Sequence, residues 1–318
     1  MITAYIRENN VLKPVTVQGG QAMPADAVWI DLFTPTKEEE ALTEEALAIE
    51  LPTREEMREI EVSSRLYQES GALFMTATVM THVEADNPET EPFTFILLGQ
   101  RLITIRYANP LPFRAFASKV QRQPGLAGTG EVVLVELLDA IIDRLADVLE
   151  RVQHDMNEVS RVIFARQKTD YEEVLRKIGR AEGLTSHSRE SLVSIGRVLS
   201  YLSRPNEVKP GKALARSLKT LSRDVLALSD HSSFLANNIT FLLNATLGMS
   251  NIEQTDVIKI FSVMSVLFLP PTLIASIYGM NFQFMPELGW SFSYPLSLAL
   301  MVIAGLLPYA YFKRRGWL

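Results

Sequence analysis

Hydrophobic patterning changes character three times along this chain of 318 residues. Up to about residue 106, apolar positions come in short runs: Ile2–Arg7 and Val11–Val17 around Asn9-Asn10, then Ala27–Phe33, Leu73–His82, Phe93–Leu98 and Arg101–Arg106, the last two joined through Gly99-Gln100. Short runs bounded by Asn and Gly predict strands, the first two forming a hairpin. Between them, Thr36…Glu39 and Thr53…Glu56 have the spacing of capping boxes, in which each end of the pair satisfies an orphan N–H of a new helix. Residues 1–130 therefore read as an α/β or α+β domain with a mostly antiparallel sheet.

From Glu131 the period becomes helical, with Leu138, Ile141, Ile142, Leu145, Val148, Val152, Met156 and Val159 on one side. Thr169…Glu172 has the spacing to cap a second helix, so residues 131–210 read as a helical hairpin, punctuated at its end by the segment Pro205 to Gly211. In the third helix Leu218, Leu221, Val225, Leu228, Ser232, Leu235, Ile239 and Leu242 alternate three and four apart, the spacing of a coiled-coil seam suited to joining subunits. No proline falls between Lys212 and Leu269. The stalk helix is thus expected to run through residues 211–278, about 100 Å at 1.5 Å per residue. A break near Gly248 is the alternative.

The third change is the most consequential. Ile260 to Tyr278 is 19 residues without a charge, and Leu288 to Phe312 is 25. A spanning helix needs about 20 mainly apolar residues, so both stretches can cross a bilayer. Lys259 precedes the first, Lys313, Arg314 and Arg315 follow the second, and the connection from Gly279 to Leu288 has no basic residue. That bias predicts both termini on the cytoplasmic side, with membrane segments at about 258–278 and 290–312, an outer loop at 279–289 and a basic tail at 313–318. Tyr278, Trp290, Tyr309, Tyr311 and Trp317 near the span ends suit the headgroup region. The polar start MITAYIRENN lacks the basic and apolar regions of a secretion signal, which predicts a cytoplasmic N-terminus.

Composition narrows the chemistry. With a net charge of −6, nothing favours nucleic acid, and with no cysteine there are neither disulfides nor thiolate metal sites. His82, His154, His187 and His231 lack zinc-ligand spacing, and Gly125, Gly128 and Gly130 form no phosphate-binding loop, so neither a zinc enzyme nor ATP-driven transport is expected. Asn238-Ile239-Thr240 and Asn244-Ala245-Thr246 match the glycosylation sequon by chance, inside a helix expected in the cytoplasm. The richest acidic cluster is Glu84, Asp86, Glu89 and Glu91, whose oxygens suit hard divalent cations as well as plain solvation.

At the end of the first apolar stretch stands Tyr278-Gly279-Met280-Asn281-Phe282, followed by Met285-Pro286-Glu287-Leu288. This arrangement resembles the CorA family, whose signature is Gly-Met-Asn at the outer end of the first of two C-terminal membrane helices. The similarity covers the whole chain, including the basic tail. It implies an α+β membrane protein assembled as a homopentameric funnel in a cell inner membrane, moving Mg²⁺ and also Co²⁺ or Ni²⁺, with no catalytic residues, no resident cofactor and no nucleotide. The first span would line the pore. Two helices per chain cannot enclose an aqueous path, so a ring of subunits is required on physical grounds as well.

In that reading Gly279, Met280 and Asn281 form the selectivity filter, offering neutral oxygens to the water shell of Mg²⁺, which the ion gives up reluctantly. Glu287 adds a loop charge that attracts cations. Matched outward from the motif, Thr255, Ile258, Phe261, Leu269 and Thr272 fall at pore-lining positions, and Pro270-Pro271 loosens the helix among them. Thr255 departs from the asparagine common at that position. The family closes when intracellular Mg²⁺ bridges acidic groups of neighbouring subunits, for which Glu84, Asp86, Asp224 and Asp230 are the candidates here. Two other readings fit the same two spans: a ZntB-like zinc transporter, against which Met280 argues, and a membrane-anchored coiled-coil sensor without a pore.

Overall fold

The computed structural model describes residues 1–318 except 19–20, 86–87, 127, 166–168, 205–210, 282, 284 and 318. The candidate ligand Asp86, the motif's Phe282 and most of the expected break after residue 204 lie outside the described residues. The chain forms two compact units, Met1–Leu243 and Asn244–Leu318. The division between them falls within a helix.

The first unit is built on one seven-stranded sheet. Its strands are β1 (Ile2–Glu8), β2 (Val11–Val17), β3 (Ala27–Phe33), β4 (Leu66–Glu69), β5 (Ala72–Thr81), β6 (Glu89–Leu98) and β7 (Arg101–Arg106), in the order β2-β1-β3-β7-β6-β5-β4. Every neighbouring pair is antiparallel except β3 with β7, which are parallel at the centre. Asn9 and Asn10 turn the first hairpin at φ 50° and 63°, the left-handed conformation that short polar side chains tolerate best after glycine.

Helices cover both faces. On one lie α1 (Lys37–Leu47) and α2 (Arg54–Met57), each opened by the expected capping box at Thr36 and Thr53. Their Leu47 and Met57 pack with Ile2, Ile30, Phe74, Ile96 and Ile103 of the sheet. A one-turn α3 (Val62–Arg65) precedes β4. The other face carries α4 (Leu111–Lys119), α5 (Gly130–Phe164) and α6 (Tyr171–Leu202). Because both faces are covered, β5 is buried along its full length, which explains its unbroken apolar and Thr run. Gly130 brings α5 hard against β7: its N–H donates to Gln100 O at 2.7 Å, and a Cβ there would lie 2.3 Å from the Leu102 nitrogen. The second long helix is capped by Asp170, whose carboxylate accepts from the N–H groups of Glu172 and Glu173, not by Thr169. An ionised carboxylate one residue closer to the helix satisfies two orphan donors at once.

Helix α7 (Lys212–Tyr278) is unbroken through Gly248. The expected coiled-coil seam has another use. Leu218, Leu221, Val225, Ser232, Leu235, Ile239 and Leu242 are buried within this one chain, with Val225 3.3 Å from the point where a Gly196 side chain would begin. A three-and-four spacing describes any helix face that packs on other helices, including its own chain's. The side left open carries Leu226, Phe234 and Phe241.

One buried polar network ties the central parallel pair together. Arg106 binds Asp31 through Nε at 3.0 Å and Nη2 at 2.8 Å, Trp29 donates to Thr104 Oγ1, and Thr104 donates to Asp31 Oδ1 at 2.7 Å. Both charged side chains are nearly fully buried, so removing one leaves the other's charge buried without its counter-ion, at a cost of about 3–5 kcal/mol. Asp31→Ala is expected to lower the unfolding free energy of the detergent-solubilised chain by about that amount, read by chemical denaturation.

Candidate functional site

The second unit joins the end of α7 to α8 (Ser293–Arg314), and both helices are long and apolar enough to cross a membrane. Helix α7 stops at the motif. Gly279 N–H donates to Ala275 O at 2.9 Å and Met280 N–H to Ile277 O at 3.3 Å, after which Asn281 leaves the helix with its amide exposed. A side chain at Gly279 would begin 3.1 Å from Ala275 O, crowding the last turn. The final carbonyls of a helix lack intrahelical donors and carry the negative end of its dipole. The motif therefore sits where backbone and amide oxygens together favour a cation. A single 3-10 turn, Pro286–Gly289, follows, and Trp290 N–H closes it on Glu287 O at 3.3 Å. Glu287 is exposed.

Below the motif, Thr255, Ile258, Leu269 and Thr272 belong to one exposed stripe of α7. Three residues that sequence matching missed complete it: Ser262, Ser265 and Ser276 fill the same three-and-four spacing up to Gly279. Phe261 flanks the stripe and is 70% exposed. The hydroxyls share a geometry: Thr255 donates to Asn251 O, Ser262 to Ile258 O, Ser265 to Phe261 O and Thr272 to Phe268 O, at 2.7–2.9 Å. Each proton is held inside the helix, so each oxygen presents only lone pairs outward. The stripe is a row of acceptors set among apolar residues.

The opposite side of α7 meets α8. Val263 is 2% exposed, and a Cβ at Gly305 would lie 3.7 Å from Pro271 Cγ and 3.8 Å from Leu267 O. Pro270 and Pro271 supply no N–H, which frees the carbonyls of Val266 and Leu267. Close approach of a glycine to that weak point is the way small residues let membrane helices pack.

Among the described residues the acidic candidates Glu84, Asp224 and Asp230 form no cluster. Glu84 is held by Arg144 at 2.7 Å and Arg151 at 3.2 Å, hydrogen bonds that keep its carboxyl below the usual range. Asp224 and Asp230 are exposed on α7. Asp224 faces a run of acids on α5, where burial, followed by repulsion from Asp143, Glu136 and Asp224, raises the Asp139 carboxyl. Among the described residues no three His, Asp or Glu side chains converge as a metal site.

Residues 24–314 match the sequence model of the family described as CorA-like Mg²⁺ transporter protein. The chain belongs to this family. Among its CorA relatives, the magnesium transport protein CorA of Escherichia coli K12 is 37% identical over 319 residues, covering all of both chains, and that of Salmonella typhimurium is likewise 37% identical at full coverage. The fold is that of CorA as well: the complete CorA magnesium transporter structure from Methanocaldococcus jannaschii superposes with a TM-score of 0.75 over 100% of this chain and 99% of that one, at 21% identity. The full-length CmaX structure matches at 0.68 and 13% identity, covering 99% of this chain and 97% of that one.

The Glu84 geometry has a pH signature. A carboxyl whose pKa is depressed by folding contributes stability above its unfolded pKa and loses it as pH falls through the folded one. Glu84→Gln should thus lower the Tm slightly at pH 7, and thermal melts of the two proteins should converge as pH drops below the ordinary carboxylate range.

Proposed function

We propose that this chain is a subunit of a membrane channel that carries Mg²⁺ into the cytoplasm, and is not an enzyme. Full-length likeness to CorA magnesium transport proteins supports the ion. The observation that carries the mechanism is the placement of Gly279-Met280-Asn281 at the end of α7, directly above the acceptor stripe. Mg²⁺ holds six waters tightly at about 2.0–2.1 Å. Those waters point protons outward, so the neutral oxygens of Asn281 and Gly279 recognise the hydrated ion without stripping it. Glu287 concentrates cations at the entrance. Thr255, Ser262, Ser265 and Thr272 then pass the shell along by accepting its hydrogen bonds, while Ile258, Phe261 and Leu269 form apolar constrictions that close by dewetting.

An aqueous path needs several copies of α7 around an axis, and the reading adopts five, in a funnel-shaped homopentamer spanning the inner membrane with both termini cytoplasmic. The open side of α7 at Leu226, Phe234 and Phe241 is apolar surface for neighbouring subunits. Intracellular Mg²⁺ closes the channel by bridging acids. Asp224 and Asp230 are better ligands than Glu84, which two guanidiniums already hold. Co²⁺ and Ni²⁺, octahedral when hydrated, share the path.

The test is Mg²⁺ uptake by proteoliposomes loaded with a fluorescent indicator. Asn281→Ala is expected to reduce uptake by about 100-fold or more if the amide ring supplies about 3 kcal/mol of recognition. Uptake of Zn²⁺ alone would favour the zinc transporter, and no uptake by wild type the poreless sensor. Glu287→Gln should slow uptake severalfold at low ionic strength and lose that effect in high salt, because steering by an exposed charge is screened.

A further inference from the structure

The last turn of α8 is closed by a built cap. Gly316 N–H donates to Lys313 O at 3.2 Å and Trp317 N–H to Phe312 O at 3.1 Å, with Gly316 at φ 70°. That pair of bonds is the turn by which chains leave a helix through a left-handed glycine, and its usual apolar contact is present as Trp317 stacked on Phe312 at 5.4 Å. The turn carries the Trp317 ring to 5.9 Å from the Nζ of Lys259, which also pairs with Asp256 at 3.1 Å. The end of α8 is thereby tied to α7 at the foot of its apolar stretch.

This turn holds three successive cations outward. Lys313, Arg314 and Arg315 are all exposed. Lys313 Nζ lies 5.8 Å from the Tyr309 ring and the Arg315 guanidinium 5.4 Å from that of Tyr311, contacts that orient cations without neutralising them. Among the described residues none of the three pairs with a carboxylate. Among the described residues the acidic side chains of this unit near the foot of α7 are Glu253 and Asp256, and Asp256 is taken by Lys259. Directly below, Ile303, Leu306 and Leu307 are 51%, 57% and 66% exposed. Exposed cations above exposed aliphatic side chains match a ligand with an anionic head and an apolar body.

We propose that this cap is a binding site for an acidic phospholipid, its phosphate held by Lys313, Arg314 and Arg315 and its acyl chains lying along α8. The site rests on the reading that α7 and α8 span the membrane. Guanidiniums bind phosphate oxygens two at a time, basic clusters next to spans draw anionic lipids, and tryptophan and tyrosine rings suit that depth. Gly316 and Trp317 are positioning residues that fix the cluster.

The full chain is reconstituted in bilayers of equal phosphatidylcholine and phosphatidylglycerol, and retained lipids are counted by native mass spectrometry. Wild type is expected to retain phosphatidylglycerol preferentially. The combined variant Lys313→Gln, Arg314→Gln, Arg315→Gln should lose that preference by about tenfold or more. Gly316→Ala, which keeps every charge but strains the turn, should lose it severalfold. Millimolar inorganic phosphate should leave retention unchanged. Undiminished preference in the triple variant overturns the site. Preference unchanged in Gly316→Ala reduces it to bulk charge attraction, and displacement by phosphate makes it a site for free anions; either result also overturns it. Resistance of each protein to alkaline extraction from the vesicles is measured in parallel. If wild type washes out, the membrane reading fails; if it stays inserted without preference, only the lipid site does.

Discussion

In the proposed function, the cost of taking water from a small divalent cation governs the arrangement of the second unit. Mg²⁺ surrenders its shell so reluctantly that a pathway able to pass it must either supply six well-placed oxygens or accept the ion with its water. The chain contains no cage of carboxylates along α7: from Ile260 to Tyr278 there is no charge at all. It offers instead hydroxyl oxygens at intervals along one exposed stripe, with the amide of Asn281 beyond its end, all able to accept hydrogen bonds from the water of a hydrated ion. A carboxylate in that stripe would bind more strongly and release more slowly, defeating conduction.

The same helix must remain intact in an environment with no water to satisfy its backbone, and this sets its sequence as firmly as the ion does. The serine and threonine hydroxyls bond to carbonyls one turn back, and Gly305 of α8 lies against the segment where Pro270 and Pro271 release two carbonyls. Thr255 belongs to this pattern. Its hydroxyl is held by Asn251 O, so it presents an acceptor outward, as the amide oxygen of an asparagine would. The departure from the usual residue preserves acceptor character and gives up the amide's donors.

Where structure follows from neighbours in sequence, the chain is readable: Asn9-Asn10 turns its hairpin, Thr36 and Thr53 cap their helices, and the absence of proline before Pro270 foretells the unbroken α7. Long-range facts are hidden. Asp31 and Arg106 are buried because a parallel pairing joins strands far apart in sequence, which no local pattern announces. Strand β4 is four residues and only half buried, too short to leave a period. The heptad spacing of α7 marks a packed face but cannot say whose helices pack on it. At the site, the motif was legible because Gly-Met-Asn stands at an apolar boundary. Ser262, Ser265 and Ser276 were overlooked because serine is common, although extending the three-and-four spacing back from Gly279 would have found them. Their use as acceptors depends on rotamers that only coordinates reveal.

The central claim, that the ion is recognised through its water shell at Asn281, can be tested with an exchange-inert octahedral cation that presents N–H donors in place of water protons. Cobalt(III) hexaammine cannot lose its ligands on the time scale of transport. Added outside proteoliposomes containing the wild-type chain, it is expected to compete with Mg²⁺ uptake, and Asn281→Asp, which keeps an acceptor and adds charge, should strengthen the block. Full Mg²⁺ uptake that is indifferent to the inert complex would mean that the ion enters stripped and would contradict the account.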